Sequence, residues 1–111
     1  MSDSYVAETI ISQLGGVRAL RLMLGVDQFV YDDNSLIFKF KGSRSMNKVK
    51  ITLTGMDDYN VEFSQVRKKR GSYEFTDKVK AKVDGIYADQ LVDYFERTTG
   101  LCIRVPRIFR A

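Results

Sequence analysis

The chain has 111 residues, 44% hydrophobic and 12% aromatic, with 18 basic against 14 acidic side chains and a formal net charge of +4. That composition suits a single globular domain over residues 1–111 with its own core, and it excludes a chain disordered throughout. The absence of histidine and the lone cysteine, Cys102, exclude His-based acid–base catalysis, Ser-His-Asp triads, histidine or thiolate zinc sites and an internal disulfide.

A first helix starts after Asp3 or Ser4 as cap, places Val6, Ile10 and Leu14 on one face, and stops at Gly15-Gly16. Val17 to Leu24 carries only Arg18 and Arg21 as charges, which predicts a second, largely buried helix ended by Gly25. Two helices at a glycine break invite a helix-turn-helix reading. The second helix offers too few polar side chains to read base edges, so core packing is preferred. Phe29 to Tyr31 and Leu36 to Lys41 then form a hairpin around Asp32-Asp33-Asn34-Ser35. Phe29 and Tyr31 share a face, as do Leu36, Phe38 and Phe40, and only an even loop matches those faces. The aspartates there are read as turn residues, not metal ligands. The segment Gly42 to Asn47, with Ser43, Arg44 and Ser45, is a loop with weak anion-holding character.

Lys48 to Gly71 has the clearest pattern. Val49, Ile51 and Leu53 alternate with lysines and threonine, and Tyr59, Val61 and Phe63 alternate with Asn60, Glu62 and Ser64. Apolar residues of paired strands must share a face, so Leu53 pairs with Tyr59 and Ile51 with Val61. The loop is then odd: Gly55-Met56-Asp57, with Lys50 opposite Glu62 on the solvent face and Gly55 in the left-handed position, or Met56 to Asp58 if the pairing slides by two residues. A cluster of cations, Arg67 to Arg70, follows. Tyr73 and Phe75 share a face that could belong to the core, and Lys78 to Val83 alternates as a short strand or extended edge interrupted at Asp84-Gly85. Helical spacing returns from Tyr87 to Thr99, with Ala88, Leu91, Val92 and Phe95 on one face, Asp89 in the first turn and Gly100 as the stop. Leu101 to Ala111 alternates up to Pro106, as a last strand or a tail laid on the sheet. The fold class is α+β: an antiparallel sheet of four or five strands built from hairpins, with N-terminal helices and one C-terminal helix.

Few reacting groups can be assembled. Gly15-Gly16 lacks the lysine and preceding strand of a phosphate loop, and the carboxylate pairs Asp32-Asp33 and Asp57-Asp58 sit in turns. Cys102, between Leu101 and Ile103, reads as a small buried hydrophobe. A protein that is not an enzyme and needs no cofactor or metal is expected. With no leader pattern and no stretch of membrane-spanning length, a cytoplasmic protein without membrane association is expected as well.

Charge distribution points to a partner. Arg67, Lys68, Lys69, Arg70, Lys78, Lys80 and Lys82 face only Glu74 and Asp77 in the same stretch. Arg104, Arg107 and Arg110 add a basic tail, while Asp84, Asp89, Asp93 and Glu96 form an acidic segment. Such asymmetry suits an anionic ligand, although lysines also protect sheet edges. Cations beside Tyr73 and Phe75 fit single-stranded nucleic acid. Arg70 to Phe75 echoes part of the RNA-recognition signature, but it departs at Ser72 and Glu74, and the element order lacks that fold's first crossover helix. The candidate anion or nucleic-acid site is therefore Arg67, Lys68, Lys69, Arg70, Tyr73, Lys78, Lys80, Arg104 and Arg107. A candidate protein-partner surface is Tyr87, Asp89 and Gln90; against it stands the reading that Tyr87 packs at the helix entry.

Several phrases resemble a small family of proteins encoded by bacteriophages and other mobile elements. They are Gln13-Leu14-Gly15-Gly16, Phe29-Val30-Tyr31 with Asn34-Ser35-Leu36, and Lys48 to Leu53 leading to Met56-Asp57. Asp58 to Phe63, Gly85 to Leu91, Phe95-Glu96 and Thr99-Gly100-Leu101 complete the likeness, which excludes Arg67 to Arg70. The resemblance attaches no activity; it implies a setting in which small proteins act by binding. The expectation is a non-enzymatic binding protein whose partner is nucleic acid or a nucleic-acid-handling host complex, in one form a host-defence inhibitor. The alternatives are an inhibitor docking a protein through the acidic helix and a nucleotide-sequestering protein with a pocket between protomers, which leaves homo-oligomerisation open.

Overall fold

Helix α1 (Tyr5–Gln13) turns Ala7 and Ile10 inward, with Leu14 one step beyond, because apolar residues three and four apart line one face. Gly15 and Gly16, at φ 116° and 96°, then adopt a backbone that side chains rarely tolerate. The chain reverses there into α2 (Val17–Leu24), which Gly25 ends in the left-handed conformation, donating its N–H to Arg21 O at 3.1 Å. The sequence predicts a largely buried α2, and the structure corrects that. Ala19, Leu20 and Leu24 are buried, but Leu22 is 70% exposed. The helix lies on one side of a single sheet, so only one of its stripes meets apolar surface. The computed structural model describes residues 5–43, 45–68, 70–71 and 75–101; the expected Asp3 or Ser4 cap and the tail after Leu101 lie outside them.

Among the described residues five strands follow: β1 (Phe29–Tyr31), β2 (Ser35–Lys39), β3 (Lys48–Leu53), β4 (Tyr59–Lys68) and β5 (Phe75–Ile86). They form one antiparallel sheet in chain order. With α1 and α2 before it and α3 (Leu91–Thr99) after it, the fold is α+β. Tyr31 pairs with Leu36, leaving the expected four-residue turn. Asp32 Oδ1 accepts from the Asn34 N–H (3.1 Å), the Ser35 N–H (2.9 Å) and the Ser35 hydroxyl (2.7 Å). The Ser35 hydroxyl first, then these amides, hold the Asp32 carboxyl below its ordinary range. This carboxylate closes a turn.

Of the registers that face matching allows, the second hairpin takes the one with the Gly55-Met56-Asp57 loop: Leu53 with Tyr59, Ile51 with Val61, Lys50 with Glu62. One detail differs. Gly55 is not the left-handed residue; Asp57 is, at φ 61°. In such three-residue loops the left-handed position comes last, after a type I turn, and Asp is among the few non-glycine residues that tolerate it.

Strand alternation then sorts the sheet. Leu36, Phe38, Val49, Ile51, Tyr59, Val61 and Phe63 turn to one face and are buried under all three helices. Phe95 of α3 anchors this layer, its ring centroid 5.1 Å from Phe40, 5.4 Å from Phe63 and 6.2 Å from Phe38. The expected helix from Tyr87 begins as a 3₁₀ turn, Ala88–Gln90, and α3 ends at Gly100 in the left-handed conformation. Tyr59 is buried with its hydroxyl donating to Gln13 Oε1 at 2.7 Å, and burial raises its pKa. The opposite face, carrying Val30, Ile37, Lys39, Lys48, Lys50 and Glu62, has no helix over it among the described residues.

The loop geometry makes a prediction. Asp57→Gly removes the left-handed penalty and should stabilise the protein by about 0.5–1 kcal/mol, after the entropy cost of glycine. Asp57→Val should destabilise it. Urea denaturation of both variants checks the assignment, and equal midpoints would refute it.

Candidate functional site

β3 ends its pairing at Lys48 opposite Ser64, but β4 continues to Lys68 and β5 returns from Phe75. The two strands run on as an arm beyond the core. Asn47 holds its base. The Asn47 side chain donates to Val66 O at 2.9 Å and accepts from Val66 N–H at 2.8 Å, copying the paired bonds that another strand residue would make. Nothing in the serine-rich loop pattern singled this residue out.

Two irregularities shape β5. Asp84-Gly85, expected to interrupt the strand, lies inside it: the register shifts between Tyr59 and Val61, and Gly85, at φ 75°, donates its N–H to Asn60 Oδ1 at 3.2 Å. β5 is thus a 12-residue strand where a short one was expected. The second shift lies between Phe63, opposite Ala81, and Ser64, opposite Val79, and leaves Lys80 as the extra residue. Below this bulge Ala81 and Val83 face the helices. Above it Val79, Asp77 and Phe75 stand opposite Ser64, Val66 and Lys68, on the open face. The core reading of Phe75 therefore fails: its side chain is 62% exposed, and Val79 is 51% exposed.

The arm bends over the open face. Lys48 Nζ meets Asp77 Oδ2 at 2.7 Å, and Lys39 Nζ lies 5.8 Å from the Phe75 ring centroid. β2 and β5 would be about 14 Å apart in a flat sheet, so this contact needs the added twist that a bulge supplies. The Lys48 hydrogen bond first, with its charge, the Ser64 hydroxyl and Lys39 assisting, holds the Asp77 carboxyl below its ordinary range. The Lys48–Asp77 pair is partly exposed, so it fixes position more than it stabilises.

The predicted anion-binding residues divide as follows. Arg67 and Lys68 are exposed in β4, Arg70 is exposed at the turn, and Lys78 and Lys80 are exposed on β5. Gln65, with its amide oxygen toward Arg67, accepts from Arg67 Nε and Nη2 at 3.1 and 3.0 Å and lays that guanidinium along the arm. Lys69, Tyr73, Arg104 and Arg107 lie outside the described residues. On the open face Lys39, Lys48, Lys50 and Lys82 join Lys68, with Glu62 between Lys50 and Lys82 and Asp77 beside Lys48. Sequence reasoning missed Lys39, Lys41 and Lys48, because residues from separate hairpins meet only through the sheet and its curl.

The predicted protein-partner residues Tyr87, Asp89 and Gln90 sit together at the entry to α3, and all are exposed. Gln90 Oε1 accepts from the Tyr87 N–H at 3.2 Å, so its side chain serves as a cap. Tyr87 does not pack at the entry as the alternative reading held; it is 60% exposed. Among the described residues no group of three acidic, cysteine or histidine side chains could hold a metal, and no helix is long and apolar enough to cross a membrane. The chain matches no family model, no curated protein and no solved structure.

Two measurements test the arm's construction. Asn47→Ala should cost about 1–3 kcal/mol in urea denaturation, since both Val66 backbone groups lose their partner, and should speed hydrogen exchange of the Val66 amide. Slow exchange there would remove Asn47 as the anchor. The Asp77 carboxyl should titrate below 3.8 by NMR, and Lys48→Met should move it up toward that value. Because the folded pKa is the lower one, the contact adds stability above the unfolded value and loses it as pH falls through the folded one. Salt-insensitive titration unchanged by Lys48→Met would refute the pairing.

Proposed function

We propose that this protein is a non-enzymatic nucleic-acid-binding protein of phage or mobile-element type that grips phosphate backbone with the β4–β5 arm. One observation carries the reading. Arg67, Lys68, Arg70, Lys78 and Lys80 are exposed on one projecting hairpin, Lys68 on the same face as the exposed Phe75 and Arg67 and Lys78 on the other, and its one described carboxylate, Asp77, is engaged by Lys48. Cations bind phosphates without regard to sequence, and an exposed ring offers a base a stacking face. An arm this narrow suits a flexible single strand, whose bases are free to stack. In a mobile-element setting the target is nucleic acid itself or a host complex that carries it, as a defence inhibitor would require.

A second reading rests on Tyr87, an exposed aromatic beside Asp89 at the start of α3. Aromatics in such positions anchor protein interfaces, and an inhibitor docking there would need no nucleic acid.

Fluorescence anisotropy with labelled single- and double-stranded oligonucleotides across a salt series separates the two. Binding should weaken steeply with salt, and changing Arg67, Lys68, Lys69 and Arg70 to Ala should reduce the log–log slope for single strands by up to about 3. Absence of binding at low salt would overturn the proposal. Binding with the slope unchanged in the variant would remove the arm as its seat.

A further inference from the structure

A separate cleft opens at the outer edge of β2. β1 stops at Phe29, opposite Phe38, and the next outward link is the Lys41 N–H donating to Leu24 O at 2.8 Å. Between them lies Lys39, whose outward backbone neighbour beyond the Phe29–Phe38 pair is Gln28. The Phe40 N–H points to the β3 side, donating to Asn47 O at 2.9 Å. Neighbouring residues of a strand point their backbone groups to opposite sides, so the Lys39 N–H faces outward, as the Lys41 N–H does. The cleft, of about 590 Å³, lies between β2 and the segment Gly25 to Gln28. That volume lies within the range of small-molecule sites.

The lining has two characters. Val30, Ile37 and Phe40 give apolar wall, while Lys39 and Lys41 bring ammonium groups beside the carboxylate of Asp27, and the Lys48 ammonium is held by Asp77. Phosphate finds lysine charges there; a flat apolar body finds a wall. A purely apolar ligand would leave the lysines without purpose, and a bare phosphate would leave the wall unused.

We propose that this cleft binds a nucleoside phosphate, with the phosphate at the Lys39 and Lys41 ammoniums and the base against Val30 and Ile37. The site stands on β2 and the segment before β1, within one chain, and does not depend on the arm's cations. Its source is either a free nucleotide or one residue of a bound strand.

The probes are adenosine 5′-monophosphate, adenosine, inorganic phosphate and a short oligothymidylate, followed by amide chemical shifts of the intact chain. Adenosine 5′-monophosphate should shift the amides of Val30, Ile37, Lys39 and Lys41 first. Adenosine or phosphate alone should bind at least about tenfold more weakly, since each makes only part of the contacts. Lys39→Ala with Lys41→Ala, both at exposed positions, should weaken the nucleotide about tenfold or more, and Val30→Trp should block the cleft without touching a charge. If these amides stay unmoved by millimolar nucleotide and by the oligomer, or if both variants bind as before, the inference is overturned. Shifts with the mononucleotide but no oligomer binding support the cleft while the arm proposal fails. Oligomer binding that bypasses these amides does the reverse, and competition between the two ligands makes the cleft the seat of one residue of the strand.

Discussion

The pairing of Ile51 with Val61 constrains the rest of the molecule. A strand's side chains alternate, so a slip of one residue would carry Val61 and Phe63 to the open face and bring Glu62 and Asn60 beneath the helices. Burying Glu62 among Phe38, Phe95 and Leu91 would strand a charge without a partner, at a cost far above any local gain. β3 and β4 can therefore pair only in registers of this parity, and through them β2 and β5 acquire their faces. The cationic face follows from the same alternation, because the lysines of β2, β3 and β5 occupy the positions that the core residues leave.

That parity is broken once where breaking it changes the chemistry on display. Without the extra residue at Lys80, alternation would run from Val83 and Ala81 on to Val79, Asp77 and Phe75, all toward the helix side. The bulge re-aims these three to the open face, where Asp77 meets Lys48 and Phe75 comes within reach of Lys39. Asn47 makes the exposed extension affordable by giving Val66 both of its missing backbone partners. A bulge and one asparagine side chain thus turn the end of an ordinary hairpin into a curled wall over a lysine-bearing floor.

What the sequence disclosed and what it hid divide along the same line. The register of β3 and β4, the four-residue turn at Asp32 and the stops at Gly25 and Gly100 rest on alternation, turn chemistry and caps, which act over a few residues. The bulge at Lys80 was hidden because Lys78 to Val83 alternates without a break, and only the partner strand shows that one residue is surplus. Asp84-Gly85 looked like a stop, but Asn60 supplies the Gly85 N–H with an acceptor and the strand passes through. Leu22 and Val17 misled for a related reason: an apolar helix predicts burial, but a single sheet face can cover only one side of it. In the candidate site, the cations of the arm were readable as a run, whereas Lys39, Lys41 and Lys48 belong together only after three strands are side by side.

Lysines on β5 have a plain structural use, since an edge strand needs charge to discourage pairing with another sheet. That use explains Lys78, Lys80 and Lys82 but not their neighbours. Phe75 and Val79, 62% and 51% exposed on the same strand, are the side chains that a merely protective edge would avoid, because apolar surface beside unpaired backbone invites association. A protective edge also gains nothing from curling its aromatic toward Lys39. The lysines alone fit either purpose, and the exposed ring on the same strand is what favours the proposed receptor for an anionic, flat ligand over a merely protective edge.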